Sequence, residues 1–225
     1  LAIYSSDWAA ATAIKNYQVD PSKVKVVPFG PNVECSRDME NIRTIAGRKR
    51  KDTCKLLFIN TEWHRKGGDI AVDIARFLNK NGLKTELTIL GYGSKNTVPD
   101  FVSWAGYASK KTVQGRATID RLFIDSHFLV LPSRADCVPV VIAEANSYGV
   151  PVISSDVGGI PTGIQEGVNG FAFPHSNQFV ERASNVILRL MQNTADYQDL
   201  ATSSFMEYAD RLNWKTSARR VHELL

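Results

Sequence analysis

The chain has 225 residues, of which 44% are hydrophobic and 22% are charged, a composition typical of a folded globular protein. Its formal net charge of +4 is on its own only weak evidence for nucleic-acid binding, and it fits the binding of small anionic ligands equally well. Three widely spaced cysteines argue against a disulfide framework or a zinc site, which favours a reducing, cytoplasmic location. No apolar run approaches the ~20 residues of a membrane helix. Because the sequence starts at Leu1, we interpret it as part of a longer protein or a trimmed form of one.

In chain order, short apolar runs alternate with amphipathic segments. Residues 1–20 predict the end of a strand and then a helix capped by Ser5 or Ser6, and residues 1–22 are interpreted as the end of a preceding domain or a linker. An exposed basic loop is predicted at 47–52. The predicted strands are 23–29, 55–60, 85–91, 101–106, 127–133, 151–155 and 170–173, and the predicted helices are 67–82, 118–126, 139–148, a short one after Gly159, and two or three after residue 176.

This alternation predicts an α/β fold with a doubly wound, Rossmann-like parallel sheet over residues 23–225. The run 127–133 has almost no polar alternation, as expected of a parallel strand that is covered on both faces. Ligands bind at the carboxyl ends of the strands in such sheets. The loops to inspect are therefore 60–67, 91–94, 106–109, 133–139 and 155–161.

Two of these loops have the composition of an anion site. Arg65 and Lys66 precede Gly67 at the start of a predicted helix, where backbone N–H groups and the helix end attract an anion. A surface turn with two solvated cations is the alternative. Gly158 and Gly159 also stand between a strand and a helix, and a tight turn that needs glycine is the alternative there.

Gly91 and Gly93 form a Gly-x-Gly without the third glycine of a dinucleotide-binding fingerprint. The pair follows an inner strand and not the first strand of the alternation. We therefore interpret it as clearance for a ligand or as a tight turn.

Asp136 and Glu144 have seven uncharged residues between them. A helix rises ~1.5 Å per residue, so eight positions span about 10 Å, too far for a shared proton or a single metal ion. The spacing suits the two ends of one extended ligand. Because apolar residues surround Glu144, its predicted helix is buried, and a buried lone carboxylate is costly unless it has a partner. A ligand rich in hydroxyl groups would supply one.

The stretch VLPSRADCVPVVIAEANSYGVPVISSDVGGIPTGIQEGVNGFAF resembles the C-terminal domain of glycosyltransferase family 4, which has the GT-B fold. The shared features are a strand ending in Pro-Ser, two acids separated by seven residues, a Gly-x-Pro-Val strand, a Gly-Gly-x-Pro turn and an Asn-Gly pair. KVVPFGPNVE (25–34) is similar to the linker into that domain, and WHRKGGDIAVDIA (63–75) is similar to its diphosphate loop. The match runs from about residue 23 to residue 225.

The resemblance implies the nucleotide-sugar (donor) domain of a retaining glycosyltransferase of polysaccharide biosynthesis. The donor would be UDP- or GDP-linked, the acceptor a glycan or lipid-linked sugar held by an absent N-terminal domain, and no metal or other cofactor would be needed. The chain alone would then be inactive. The implied catalytic residues are Asp136 and Glu144, the implied sugar and ribose contacts are Asp136, Val138, Val140 and Glu144, and the implied diphosphate contacts are Arg65, Lys66, Gly67, Gly158 and Gly159.

Three positions depart from the family pattern. Asp136 replaces a glutamate and is one methylene shorter, Val138-Pro139 replaces Phe-Gly and removes one N–H donor, and Asn60-Thr61 replaces Gly-Arg and removes a cation, for which Arg65 is the candidate replacement. A non-catalytic nucleotide-sugar-binding or regulatory module of the same fold and a nucleotide-sugar epimerase are the alternatives.

The expected location is the cytoplasm, either free or peripherally at a membrane. The basic run GRKRK at 47–51 is the feature that would suit an anionic membrane surface. A solvated loop is the preferred interpretation of this run.

Overall fold

The computed structural model describes residues 1–50, 52–92 and 99–225. Gly93 of the Gly-x-Gly pair and Lys51 of the basic run lie outside these residues. The described residues form a six-stranded parallel sheet covered by helices on both faces, together with a separate pair of strands near the start of the chain.

The first segment contains β1 (Ala2–Tyr4), α1 (Asp7–Tyr17), a 3₁₀ turn (Pro21–Lys23) and β2 (Val24–Val26). Ser6 caps α1 by accepting a hydrogen bond from the backbone N–H of Ala9 at 3.2 Å, as the sequence predicts. The strand predicted at 23–29 is shorter than expected and pairs only with β1, so the prediction that it opens the main sheet is wrong. Pro28 has no N–H to donate to a strand partner, which accounts for the early end of β2.

The basic run is exposed at Arg48, Arg50 and Asp52, as the sequence predicts, but its first residues are helical and Lys49 is not exposed. α2 (Met39–Arg48), which was not anticipated, extends through its first residues and is capped by Asp38. Lys49 then turns inward and is half-buried, and its amine donates a hydrogen bond to the carbonyl of Ser126. The apolar face of α2 carries the buried Ile42 and Ala46, and this packing draws the end of the helix against the core.

The main sheet has the order β5-β4-β3-β6-β7-β8. All of its neighbouring strands are parallel. The bounds match the predicted runs within a few residues: β3 (Cys54–Asn60), β4 (Thr85–Gly91), β5 (Val102–Gly106), β6 (Phe128–Leu131), β7 (Val152–Ser155) and β8 (Gly170–Phe173). From β3 the chain moves outward to β5 and then returns to β6. The switch point of the sheet therefore lies between β3 and β6, where an open α/β sheet forms its ligand crevice.

Two apolar layers cover the sheet. Leu56 and Phe58 of β3 face one layer, and Leu57 faces the other, because successive side chains of a strand alternate. The helices between the strands and after them are α3 (Trp63–Lys66), α4 (Gly68–Lys80), α5 (Val113–Asp125), α6 (Val141–Asn146), α7 (Ile160–Gly163), α8 (Phe179–Gln192), α9 (Thr194–Asp210) and α10 (Trp214–Leu224). This arrangement confirms the predicted doubly wound sheet.

The last helix, α10, returns to the segment that precedes the sheet. Trp214 donates from Nε1 to the carbonyl of Pro31 at 2.8 Å and lies 5.7 Å from the ring of Phe29. Ser217 donates to the carbonyl of Pro28 at 2.7 Å. These contacts hold the segment 28–31, which precedes the sheet, against α10. Among the described residues, no helix combines the length and the apolar character needed to span a membrane.

Candidate functional site

The predicted site residues lie on loops at the carboxyl edge of the sheet. Arg65 and Lys66 belong to the single turn α3 after β3, and Asp136 belongs to the loop after β6. Because β3 and β6 are neighbours on either side of the switch point, their loops meet.

Lys66 and Asp136 form an ion pair. The Lys66 amine donates to Oδ2 of Asp136, and the two side chains are only 13% and 11% exposed. The backbone N–H of Cys137 donates to Oδ1 at 3.1 Å. The sequence predicts a sugar contact and a diphosphate contact here, and the structure places these two side chains against each other.

Each cation of this loop has a carboxylate partner. Arg65 donates from Nε to Glu62 at 2.7 Å and from Nη1 to the carbonyl of Ala135 at 2.9 Å. Its Nη1 is also 4.0 Å from Oδ2 of Asp136. The positive field expected from Arg65 and Lys66 is therefore largely compensated, and a diphosphate that binds here competes with Asp136 for Lys66.

Arg134 was missed by the sequence analysis. Its guanidinium makes two bonds to the carboxylate of Asp69, at 2.9 and 2.6 Å, and donates to the carbonyl of His64 at 2.7 Å. Its hydrogen bonds hold the pKa of the Asp69 carboxyl below its usual value. The backbone N–H of Arg134 donates to the carbonyl of Arg65 at 2.8 Å. Arg134 therefore clamps the Lys66 loop to the Asp136 loop, a contact between distant segments that no local motif reveals.

Glu144 is buried in the first turn of α6, as predicted, with 2% of its surface exposed. Its Oε1 atom accepts a hydrogen bond from the backbone N–H of Asn32 at 3.1 Å and another from the amine of Lys110. Neither partner was anticipated, although the sequence singled out the loop at 106–109, next to Lys110. The buried charge is thus paired within the chain.

The glycines of the site allow close contacts between backbone segments. Gly67 has φ +75°, and a Cβ there would overlap the carbonyl oxygen of Pro132. Cβ atoms at Gly158 and Gly159 would overlap the carbonyl oxygens of Asp136 and Cys137. These glycines let the chain pack against its own 132–137 loop, in agreement with the tight-turn interpretation of Gly158 and Gly159, and their contact with a diphosphate stays a prediction.

The expectation of a second anion-attracting helix end also needs correction. The helix after Gly159 is α7, which has four residues, too few for a substantial helix dipole. The N–H of Gly159 is already engaged, since it donates to the carbonyl of Asp136 at 3.2 Å.

Val138 and Val140 line a cavity of about 20 Å³ together with Phe29 and Pro139. Lys66, Asp136 and Glu144 do not line this cavity, so it is separate from the two ion pairs. A larger cavity of about 550 Å³ lies beside the partners of Glu144 and is lined by Asn32, Lys110, Arg37, Arg116, Asp120 and Trp214, among others. Its volume is in the range of small-molecule sites.

Comparison with known proteins identifies the family. A family model described as glycosyl transferases group 1 matches residues 53–193, more than half of the chain. The amylovoran biosynthesis glycosyltransferase AmsK of Erwinia amylovora is 24% identical over 181 residues, which is 76% of this chain and 44% of that protein. The chain spans about half the length of the curated relatives that it matches.

Solved structures share the fold over 99% of this chain. Sucrose-phosphate synthase from Thermosynechococcus elongatus has a TM-score of 0.74 at 18% identity, with 56% of its chain covered. The Anabaena protein HepE in complex with UDP-glucose has a TM-score of 0.71 at 19% identity, with 62% of its chain covered. The predicted doubly wound α/β fold is confirmed, and it matches the C-terminal domains of GT-B glycosyltransferases. The chain belongs to the group 1 glycosyl transferases.

Proposed function

We propose that the chain is the donor-binding half of a retaining glycosyltransferase that moves a sugar from a UDP- or GDP-linked donor to a glycan or lipid-linked acceptor. The observation that carries the proposal is the pairing of two carboxylates with two lysines, Asp136 with Lys66 and Glu144 with Lys110, at the carboxyl edge of the sheet. The family membership supports the reaction class, and the UDP-glucose complex of a structural neighbour supports the donor class.

Each residue has a proposed task. Lys66, assisted by Arg65, stabilises the negative charge that develops on the leaving diphosphate, the role that a metal ion plays in other enzymes. When phosphate oxygens replace Asp136 around Lys66, the Asp136 carboxylate becomes available to accept a hydroxyl of the donor sugar. Glu144 accepts hydroxyls of the ribose. The acceptor is held by a part of the protein outside this chain.

A non-catalytic module that binds nucleotide sugars is the second candidate, and the loop at 137–140 favours it. Pro139 is buried and supplies no N–H, so the loop beside Asp136 offers one hydrogen-bond donor fewer to a sugar. Such a module would bind the nucleotide and fail to transfer the sugar even within the whole protein.

Calorimetric titration with UDP, GDP, ADP and NAD tests the proposal. We expect UDP or GDP to bind most tightly, and Glu144→Ala to weaken that nucleotide at least about tenfold, since hydrogen bonds to charged groups contribute ~1.5–3 kcal/mol. Glu181→Ala, at an exposed position of α8, is the control and should bind like the unsubstituted chain. Tightest binding of NAD, or unchanged affinity in Glu144→Ala, would contradict the proposed donor site.

A further inference from the structure

The carboxylate of Glu144 is held by one of its two oxygens. Both hydrogen bonds that reach it from the described residues, from Asn32 N–H and from the Lys110 amine, end on Oε1. A carboxylate offers about four acceptor positions on its two oxygens. The Oε2 atom therefore retains the capacity to accept hydroxyl groups of a ligand.

Lys110 is the charged partner in this arrangement. A carboxylate that is 98% buried is expensive without a nearby cation, and removing one member of a buried ion pair leaves the other uncompensated. Lys110 reaches Glu144 from the loop after β5, 34 positions away in the sequence. The pair therefore links the loop after β5 to the helix after β6.

The loop that carries Lys110 is itself fixed. Thr112 caps α5 by accepting from the N–H of Gly115 at 3.1 Å, and the N–H of Thr112 donates to the carbonyl of Ser109 at 3.2 Å. The carbonyl of Lys110 accepts from Arg116 at 3.1 Å. An ordered loop of this kind supports a side chain that positions another residue.

We propose that Lys110 is a positioning residue: it holds Glu144 by Oε1, so that Oε2 accepts the ribose hydroxyls of the donor. The inference rests on the proposed function, because it assumes that Glu144 contacts the ribose. It assigns to Lys110 no contact with the donor. Removing the Lys110 amine should therefore weaken only that part of the affinity that depends on the ribose hydroxyls.

The test compares UDP with 2′,3′-dideoxy-UDP, which lacks both hydroxyls, by calorimetry on the 225-residue chain. The unsubstituted chain should prefer UDP at least about tenfold. In Lys110→Met the preference should fall below about threefold because UDP binds more weakly while dideoxy-UDP binds as before. Lys110→Arg should restore the preference, and Lys111→Met, at the exposed neighbouring lysine, should leave it unchanged.

A second comparison uses the Glu144→Gln background. If Lys110 acts through Glu144, Lys110→Met should cause no further loss there, since the two substitutions remove one interaction. Circular dichroism checks the fold of each variant. Should Lys110→Met not fold, Lys110→Gln replaces it with the same expected loss of preference.

Two outcomes would overturn the inference while leaving the proposed function intact. Equal weakening of UDP and dideoxy-UDP in the variant would mean that Lys110 contacts the diphosphate or only supports the fold. A full preference for UDP in the variant would mean that Glu144 needs no help from Lys110. Equal affinity of the unsubstituted chain for both nucleotides would instead remove the ribose role of Glu144, and with it the proposed donor site.

Discussion

The positive charge of Lys66 in the proposed donor site is already neutralised by a carboxylate. Its amine contacts Asp136, and the loop around it holds as many carboxylates as cations. In the proposed function, anion binding at this loop is therefore an exchange of partners and not simple attraction to a positive surface. The exchange costs little if the phosphate oxygens replace the carboxylate at similar distances.

Replacing Lys66 by alanine should weaken binding of the nucleoside diphosphate and leave binding of the nucleoside unchanged. We expect the affinity for UDP to fall about tenfold or more while the affinity for uridine stays unchanged, because a charge-assisted hydrogen bond contributes ~1.5–3 kcal/mol. Calorimetry with both ligands measures the difference, and Lys80→Ala at the exposed far end of α4 serves as the control. Equal losses for UDP and uridine would indicate a folding defect or a contact with the base.

Lys49 is a residue whose burial has a consequence for stability. Its amine contacts the carbonyl of Ser126 and lies 5.8 Å from the centre of the Tyr197 ring. Burial lowers the pKa of Lys49 from 10.5 to about 7, against the opposing attraction of Asp125. Between these two values the unfolded chain binds more protons than the folded chain, so this residue makes the free energy of unfolding rise with pH across that window.

Lys49→Met should therefore stabilise the protein most at pH 7 and below. We expect a gain of more than about 1 kcal/mol at pH 7, since one pKa unit corresponds to about 1.4 kcal/mol, and the gain should shrink towards pH 10.5. Urea denaturation at several pH values measures it, with Lys84→Met at an exposed position as the control. A difference between Lys49→Met and the unsubstituted chain that does not vary with pH would contradict this account.

Glu144 shows which features of a single residue can be predicted from the sequence and which cannot. The burial of Glu144 follows from its apolar neighbours in the sequence, because a short helix surrounded by valine, isoleucine and alanine is buried. Its partners do not follow, because Asn32 and Lys110 lie 112 and 34 positions away and are brought together only by the tertiary fold.

At the scale of elements, the strands of the main sheet were predictable and the first segment was not. β6 is buried throughout and its sequence FLVL is a continuous apolar run, and β4 and β8 begin and end at the predicted residues. β2 (VKV) is also rich in valine, but its partner is set by contacts with β1 that local composition does not encode. α2 begins at a capping box of Asp38 and Asn41, a signal that was present but not used.

The junction between α3 and α4 provides a test of one element boundary. Gly67 and Gly82 have similar left-handed φ angles, +75° and +84°, but only Gly82 has open space where a Cβ would stand. Gly82→Ala should therefore lower the free energy of unfolding only by the conformational penalty, about 1–2 kcal/mol. Gly67→Ala should lower the free energy of unfolding by more. It should also weaken UDP binding, because the overlap with Pro132 displaces the neighbouring Lys66.

Thermal denaturation and UDP titration of both variants measure the two effects. Equal stability of the two variants, together with unchanged UDP affinity in Gly67→Ala, would show that the close contact between Gly67 and Pro132 is unimportant for the site.

At the scale of the whole molecule, the described residues form a six-stranded parallel sheet and a separate pair of strands, and the chain spans about half the length of its curated relatives. Transfer requires the acceptor oxygen within about 3–3.5 Å of the sugar carbon. We therefore predict that residues 1–225 fold and bind the donor but transfer no sugar. Mass spectrometry after incubation with nucleotide sugars and a panel of sugar and lipid acceptors checks this, and efficient formation of a glycosylated acceptor would show that the chain carries its own acceptor site.

A crystal structure of the chain with UDP tests the central claim most directly. We expect phosphate oxygens within hydrogen-bond distance of the Lys66 amine, with Asp136 no longer its partner, and the ribose hydroxyls on Oε2 of Glu144. UDP bound elsewhere, for example in the apolar groove between β1 and α10 that is lined by Val27, Phe29, Trp214 and Val221, would contradict it.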